Sequence, residues 1–323
     1  MAIVTWTGAT SGSLTTTGNW LDGALPVAND HVVVPSWATN GMTSNLNWPE
    51  VALSSFHVQA GFTKNIGVSV TGRSFANSFL EVSLAGTNAD LPQRFTYEGT
   101  GNLARIHIKA STANTSYQVL NTGSGANGHP ALQLMSDNLA AMGDILILRG
   151  EVSLGPEGSL LDVDNIIVGS PPTSTGLSSS SARVWIGSGV NAVDDSDLET
   201  LTVSSGTVSV DCNVDTINLH GGNVLQTSGN VVTALNLYTG GVYEMANPQT
   251  TGSVHTVAKL NLYGGTLTNE RNPTAKTITA ADLYSGTILD PAAKLTWGDS
   301  TVYKGKATDV NFDFGPNRTI RIT

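Results

Sequence analysis

Five stretches of the chain share one order of apolar and polar positions: apolar, any residue, apolar, two residues of any kind, glycine, any residue, apolar. They read LTVSSGTV from residue 201, INLHGGNV from 217, LNLYTGGV from 235, LNLYGGTL from 260 and ADLYSGTI from 281. An earlier copy consists of Ile145, Ile147, Gly150 and Val152. The alternating apolar pair is typical of a short strand with one buried face, and the glycine permits a positive φ at a corner. The five copies begin 16 to 25 residues apart. A strand, a glycine corner and a second strand, repeated at this spacing, predict the coils of a solenoid.

Such coils are not stable alone. A coil of ~20 residues buries about four aliphatic side chains, each worth ~1.5–3 kcal/mol. Ordering its backbone costs ~1–2 kcal/mol per residue, so the coils must stack and share one core. We therefore predict an all-β fold, a right-handed parallel β-solenoid over residues 140–295. Residues 1–60 would form an N-terminal cap or docking region, 61–139 an irregular β region with the first coils, and 296–323 a C-terminal β cap. The only helical turn expected lies within Ser136–Asp144.

The number and distribution of charged residues exclude some classes of function. Charged residues make up 12 % of the chain, against about 25 % in an average soluble domain. The net charge is −10, and residues 137–217 hold twelve acidic residues against two bases, Arg149 and Arg183. No lysine or arginine precedes Lys64, which argues against a nucleic-acid groove and against a secretory signal. No stretch approaches the ~20 apolar residues of a membrane span, so we expect neither nucleic acid nor membrane as a partner.

The opening of the chain carries a motif of a different kind, W-x-G followed by N-W-x-x-G-x-x-P-x-x-x-D-x-V. It comprises Trp6, Gly8, Asn19, Trp20, Gly23, Pro26, Asp30 and Val32. This motif resembles the opening of β-helical surface proteins, both autotransporter-type passengers and structural proteins of tailed-phage virions. An autotransporter-type protein would need a signal peptide and a membrane barrel. The resemblance therefore implies a virion protein that assembles in the host cytoplasm and ends on the virion surface.

Candidate catalytic groups are few. The six histidines, His31, His57, His107, His129, His220 and His255, have no metal-ligand spacing, and His107 is expected to point outward. Asp162 and Asp164 would share a strand face at a separation compatible with a glycosidase pair, but solvation of an outer face explains them more simply. Asp194–Glu199 could bind calcium or form a solvated acidic turn. Cys212 fits a buried strand position. We predict no enzyme activity, no cofactor and no metal site.

The two ends of the chain are the candidate interfaces. The N-terminal region offers Trp6, Trp20 and Trp37 without any base, and aromatic residues are enriched at interface cores. At the C-terminal end, alternating apolar residues followed by a turn predict a hairpin-like cap or an assembly strand. These residues are Val310, Phe312, Phe314, Ile320 and Ile322. We assign the N-terminal cap to docking and the C-terminal strands to subunit assembly.

The leading hypothesis is a non-enzymatic phage virion structural protein, a capsid decoration (cement or head-spike) protein. Its partners would be itself, as a homotrimer, and the major capsid protein or other virion proteins. The alternative is a tail fibre or tailspike protein that binds or degrades host surface polysaccharide, with host surface glycans as partners. A third class is a cellular adhesin exported by a route that the sequence does not show.

Overall fold

Buried and half-buried residues alternate along the strands of this chain, so that one face of each strand packs in the core. In a computed structural model, strands such as His31–Val34 and Ser55–Val58 place every second side chain inside. The structure describes residues 2–47, 51–68, 78–86, 94–112, 115–126, 129–137, 142–170, 182–191, 197–245, 255–271, 274–305 and 309–313. Over half of the chain is strand, 55 %, and the described residues form no α-helix. None of the helical segments described is long and apolar enough to cross a membrane.

The chain divides into two compact units. The first comprises Met1–Ile166 and Ser180–Asp195, and the second Ile167–Ser179 and Ser196–Thr323. Strands of the first unit, with the end of β11 reaching into the second, are β1 (Ile3–Thr5), β2 (His31–Val34), β3 (Ser55–Val58), β4 (Leu80–Leu84), β5 (Arg94–Tyr97), β6 (Ala104–Ser111), β7 (Ser116–Val119), β8 (Leu132–Ser136), β9 (Met142–Ile147), β10 (Gly150–Leu154), β11 (Leu161–Val168), β12 (Ala182–Ile186) and β13 (Val190–Asn191). Two short 3₁₀ turns, Thr17–Asn19 and Pro156–Gly158, accompany them.

Strands of the second unit are β14 (Leu198–Val203), β15 (Thr207–Val210), β16 (Val214–Leu219), β17 (Gly222–Gln226), β18 (Val231–Leu237), β19 (Gly241–Glu244), β20 (Thr256–Leu262), β21 (Thr266–Thr268), β22 (Lys276–Leu283), β23 (Gly286–Leu289), β24 (Leu295–Tyr303) and β25 (Val310–Asp313). Even-numbered strands β14 to β24 form one sheet in chain order, and odd-numbered strands β15 to β25 form another. Each strand pairs in parallel with the equivalent strand of the next coil. This arrangement confirms the predicted parallel β-solenoid.

The first unit follows the same rule. One sheet has the order β1-β2-β3-β5-β7-β9-β11, with β13 also beside β11, and the other has the order β4-β6-β8-β10-β12. Its strand pairs are parallel from β1 and β2 onward. Coil stacking is therefore not confined to residues 140–295, and the region predicted as a cap already contributes strands to it. Residues 138–141 of the predicted helical turn within Ser136–Asp144 lie outside the described residues; Ser136 ends β8, and Met142 begins β9.

Repeat residues occupy equivalent places in the stacked coils. The first apolar residue of each copy forms one buried column, in register between neighbouring strands: Leu201, Ile217, Leu235, Leu260 and Ala281. The six corner glycines that the pattern predicted all have positive φ, between 75° and 121°. At Gly222 the reason is also steric, because a Cβ there would lie 2.5 Å from the carbonyl oxygen of Gly206. Cys212 is buried as predicted.

One copy departs from the pattern. In the third copy, Gly240 and Gly241 extend the corner by one residue, so Gly222 of the preceding coil pairs with Gly241. The register then matches Val224 with Tyr243, and Tyr243 enters the core while Val242 remains only half-buried. Val242, the last apolar residue of this copy, therefore lies on the opposite strand face from Val224, because a one-residue shift reverses the face of every side chain that follows.

The opening motif is explained by the fold. The Trp6 and Trp20 rings are buried edge to face with centroids 5.1 Å apart, and their indole nitrogens donate to the carbonyls of Asn40 and Leu14. Asn19 is fully buried, and its Oδ1 accepts hydrogen bonds from two successive backbone amides at 2.8 Å. Asp30 accepts from the backbone amides of residues 2 and 27. These side chains satisfy the polar backbone of an irregular first coil, which otherwise would cost stability.

Candidate functional site

Residues predicted for docking at the N-terminal end occupy two different environments. Trp6 and Trp20 belong to the core, so neither ring can contact a partner in this conformation. Trp37 is 57 % exposed. Their common feature in the sequence, an aromatic ring without any nearby base, does not distinguish a buried indole from an exposed one. The docking role assigned to the three tryptophans therefore narrows to Trp37.

Other exposed apolar residues lie near Trp37 in the sequence. Seven large apolar residues in the described part of the chain are strongly exposed, and four of them fall within the first 37 residues. These four are Ile3, Leu21, Val27 and Trp37, between 57 % and 68 % exposed. We call them the N-terminal apolar set. Contiguous exposed apolar patches mark interaction surfaces, and the closeness of these four residues in the sequence makes the N-terminal end the candidate for one.

At the C-terminal end, β25 pairs in parallel with β23 and so continues the coil stack. Val310 is buried and Phe312 is half-buried, while the side chains between and after them face solvent. Phe314, Ile320 and Ile322, and the predicted hairpin turn, lie outside the described residues. The predicted assembly role of this end stays a prediction.

A row of stacked rings runs along the outer side of the second unit. His220 stacks on Tyr238, Tyr238 on Tyr263 and Tyr263 on Tyr284, with centroid distances of 4.4, 5.1 and 4.9 Å. Each ring follows the second apolar residue of its repeat by one position, so coil stacking places the rings one strand spacing apart. Their faces cover each other, and the row offers mainly ring edges to a partner. We call this row the aromatic ladder.

A row of amides accompanies the rings. Asn236 donates to Asn218 at 2.9 Å, and Asn261 donates to Asn236 at 2.8 Å, across paired strands. The next position is Asp282, which forms ion pairs with Lys259 at 2.8 Å and Lys304 at 3.3 Å. The hydrogen bond from Lys259, together with Lys304, lowers the pKa of the Asp282 carboxyl. These ladders stabilise the stack, and sequence reasoning missed them although four of the five repeat copies show the Asn or Asp and the ring.

The first unit carries a pocket of about 510 Å³ on the outer side of β8, β10 and β12. Gln133, Ser153 and Trp185 are neighbours in register across these three strands, so the small serine leaves a hollow between two larger side chains. The Arg183 guanidinium lies over the Trp185 ring, 5.0 Å from its centroid. Glu151 accepts a hydrogen bond from the Gly125 amide through Oε2 and faces Arg183 through Oε1 at 3.8 Å. We call this the Trp185 pocket.

A second pocket of about 470 Å³ lies on the outer side of β2, β3, β5 and β7. His31 Nδ1 is 2.7 Å from the Ser55 hydroxyl, and His57 Nε2 is 3.0 Å from Glu98. Arg94 also lines the pocket and is exposed. We call this the His57 pocket. The sequence contained these residues, but only the strand register brings them together.

Acidic candidates do not form the predicted arrangements. Asp162 is 4 % exposed, and its backbone amide donates to the Ser136 hydroxyl, so it does not lie on a solvated outer face. Asp164 is half-buried on the same strand. Residues 194–196 of the acidic segment lie outside the described residues, and Asp197 accepts a hydrogen bond from the Asn213 side-chain amide at 2.9 Å. Within the described ranges no group of three or more His, Cys, Asp or Glu side chains could hold a metal ion.

Two histidines differ in their surroundings. His107 projects from the outer side of its strand, as predicted, and its Nε2 is 2.7 Å from Asp137. His255 is fully buried, with Nδ1 2.6 Å from the Asn230 carbonyl and Nε2 3.0 Å from the Tyr243 hydroxyl. Burial, together with the positive charge of Lys276, lowers the His255 pKa to about 4. His255 precedes a strand in the sequence without any apolar alternation of its own, so sequence reasoning gave no signal for its burial.

Comparison with known proteins identified no relative: no family model, no curated protein and no solved structure matches this chain.

Proposed function

We propose that this protein is a non-enzymatic structural protein of a tailed-phage virion, a capsid decoration protein. It attaches through its N-terminal docking region, residues 1–60, which we call the first coil from here on. The observation that supports the proposal most is the N-terminal apolar set, four strongly exposed apolar side chains within 37 residues. The likeness of the opening motif to virion β-helix proteins supports it as well. The C-terminal strands would serve assembly into a homotrimer.

An apolar attachment fits the charge of this end. No lysine or arginine precedes Lys64, so the first coil has no cationic side chain with which to bind an acidic surface. Burying exposed apolar area gains about 25 cal/mol per Å², and a tryptophan at the centre of a contact contributes most. Many copies on a repeating lattice would add avidity, so a small contact per copy suffices.

The test compares attachment of variants to the particle. The doubly substituted protein Leu21→Ser with Trp37→Ala should remain folded and oligomeric, because both side chains are exposed, but should no longer sediment with particles. The control Val231→Ser removes an exposed apolar side chain of the second unit and should attach normally. Normal attachment of the double variant, or equal loss in the control, would refute docking through the first coil.

A second candidate function is a tail fibre or tailspike protein that binds a host surface glycan, and the Trp185 pocket favours it. An indole wall beside guanidinium, carboxylate and amide groups is suited to a ring that is apolar on its face and hydroxylated at its edge. Gln133 is 5 % exposed, and its Oε1 is buried without a hydrogen-bond donor in the described part of the chain. Among the described residues, the partner of Glu151 Oε1 is the Arg183 guanidinium at 3.8 Å.

Glu151 indicates the chemistry of the ligand. A ligand hydroxyl can donate to Glu151 Oε1, whereas an anionic ligand would place like charge beside Glu151. The second candidate is therefore binding of a neutral hexose residue. Binding of neutral oligosaccharides, followed by tryptophan fluorescence, should be lost in Trp185→Ala and kept in the control Trp37→Ala. Binding that persists in Trp185→Ala would refute this candidate, and released reducing ends would indicate degradation instead.

A further inference from the structure

We propose that the His57 pocket binds an oxyanion, a phosphate or carboxylate group carried by a hydroxylated small molecule. The inference is independent of any virion role, since it rests on residues of β2, β3, β5 and β7 alone. Strand register fixes the arrangement. His31, Ser55 and Arg94 are direct neighbours on three successive strands, and His57 and Thr96 are neighbours one step further along.

Arg94 is the charge that determines the ligand. Its side chain is exposed on the outer side of the sheet, and no carboxylate of the described residues forms an ion pair with it. The pocket is also lined by the imidazoles of His31 and His57 and by the Glu98 carboxylate, and Glu98 is already engaged by His57 Nε2 at 3.0 Å. The guanidinium is thus the charge left without compensation. Its planar pair of N–H donors matches the two oxygens of a carboxylate or phosphate.

Ser55 supplies a second donor beside Arg94. His31 Nε2 is buried and has no hydrogen-bond partner among the described residues. Because an orphaned N–H is the rarer and more costly arrangement, the imidazole proton belongs on Nδ1, which donates to the Ser55 oxygen at 2.7 Å. The serine O–H then remains free to donate outward. Ser55 and Arg94 lie on adjacent paired strands, ~4.8 Å apart, close enough for both to reach one oxyanion.

The size of the pocket indicates the rest of the ligand. A volume of about 470 Å³ exceeds what an isolated phosphate needs. Thr96 and Gln118 line the remaining space and provide a hydroxyl and an amide in neighbouring register positions. These groups suit hydroxyls on the carbon skeleton that carries the anion. Glycerol phosphate and glucuronate are the simplest probes that combine both features, one for each source of the oxyanion.

The experiment is calorimetric titration of the full chain with inorganic phosphate, glycerol phosphate, glucuronate and neutral glycerol. We expect an oxyanion to bind and glycerol to bind at least tenfold more weakly. Arg94→Gln should weaken oxyanion binding by tenfold or more, Ser55→Ala should weaken it severalfold, and the control Arg271→Gln, at an exposed arginine outside both pockets, should leave it unchanged.

The outcomes separate the sources and the alternatives. Preference for glycerol phosphate identifies a phosphate ligand, and preference for glucuronate identifies a carboxylate ligand. The proposal is overturned by the absence of oxyanion binding, by binding that survives Arg94→Gln, or by an equal loss in Arg271→Gln. Because both arginines are exposed, neither substitution should unfold the protein, and thermal unfolding of each variant verifies this. Failure here would leave particle attachment through the first coil untouched.

Discussion

Acid should destabilise this protein through one buried imidazole, His255. Its folded pKa is about 4, against 6.5 for an unperturbed histidine. Above pH 6.5 the ring is neutral in both the folded and the unfolded state, and its full contribution to stability is present. As the pH falls through 6.5 toward 4, the unfolded state binds a proton that the folded state refuses, so stability is lost. Linkage gives a loss of about 2 kcal/mol at pH 5 and about 3 kcal/mol once the pH is below 4.

Urea unfolding at about pH 8 and pH 5 measures this loss. Carboxyl groups also bind protons as the pH falls. The contribution of His255 to the loss of stability is therefore the difference in that loss between the wild type and His255→Gln. Glutamine can still donate to the Asn230 carbonyl and accept from Tyr243, and it does not titrate. We expect the variant to lose about 2 kcal/mol less than the wild type between the two pH values. The control His220→Gln, at an exposed ring of the aromatic ladder, should lose as much as the wild type. Parallel pH profiles for wild type and His255→Gln would refute the reasoning.

Three further predictions concern the coil stack. Gly222→Ala should destabilise the protein by more than about 2 kcal/mol in urea unfolding, because a Cβ there would collide with the backbone at positive φ. The control Gly23→Ala, with open space around it, should cost only about 1 kcal/mol, and equal losses would contradict the steric argument. Asn236→Ala removes two ladder hydrogen bonds and Asn218→Ala one, so the first should cost about twice as much, near ~2 against ~1 kcal/mol. Cys212, buried and with its pKa raised to about 12 by burial, should resist a thiol reagent in native protein and react in urea; fast native labelling would contradict its placement.

The solenoid architecture was predictable because each repeat copy contains, within a few residues, the pattern that determines its strands and its corner. Apolar alternation and corner glycines recur in every coil, and each coil repeats the same solution, so Leu235 and Gly265 could be placed without knowledge of the rest. The existence of the solenoid and its buried columns followed from that periodicity. The extension of parallel pairing into the first 60 residues did not, since those coils lack the glycine pattern and are held by side-chain hydrogen bonds such as those of Asn19.

The candidate sites were less predictable for a physical reason. A binding surface depends on which outward side chains the register brings together, and residues of the His57 pocket are separated by dozens of positions in the chain. A single extra residue at Gly241 reverses Val242 and Tyr243, and the buried tyrosine in turn places its hydroxyl against His255. The N-terminal tryptophans show a second reason, because composition alone cannot distinguish the buried Trp20 from the exposed Trp37.

Attachment of the first coil to a virion is the central claim, and imaging of particles tests it most directly. Cryo-electron microscopy of virions that carry the protein should show stacked β-coils on the capsid surface, with residues 1–60 and the Trp37 side chain against the major capsid protein. Density in which residues 296–323 make that contact, or particles that carry no copy of the chain, would contradict the account.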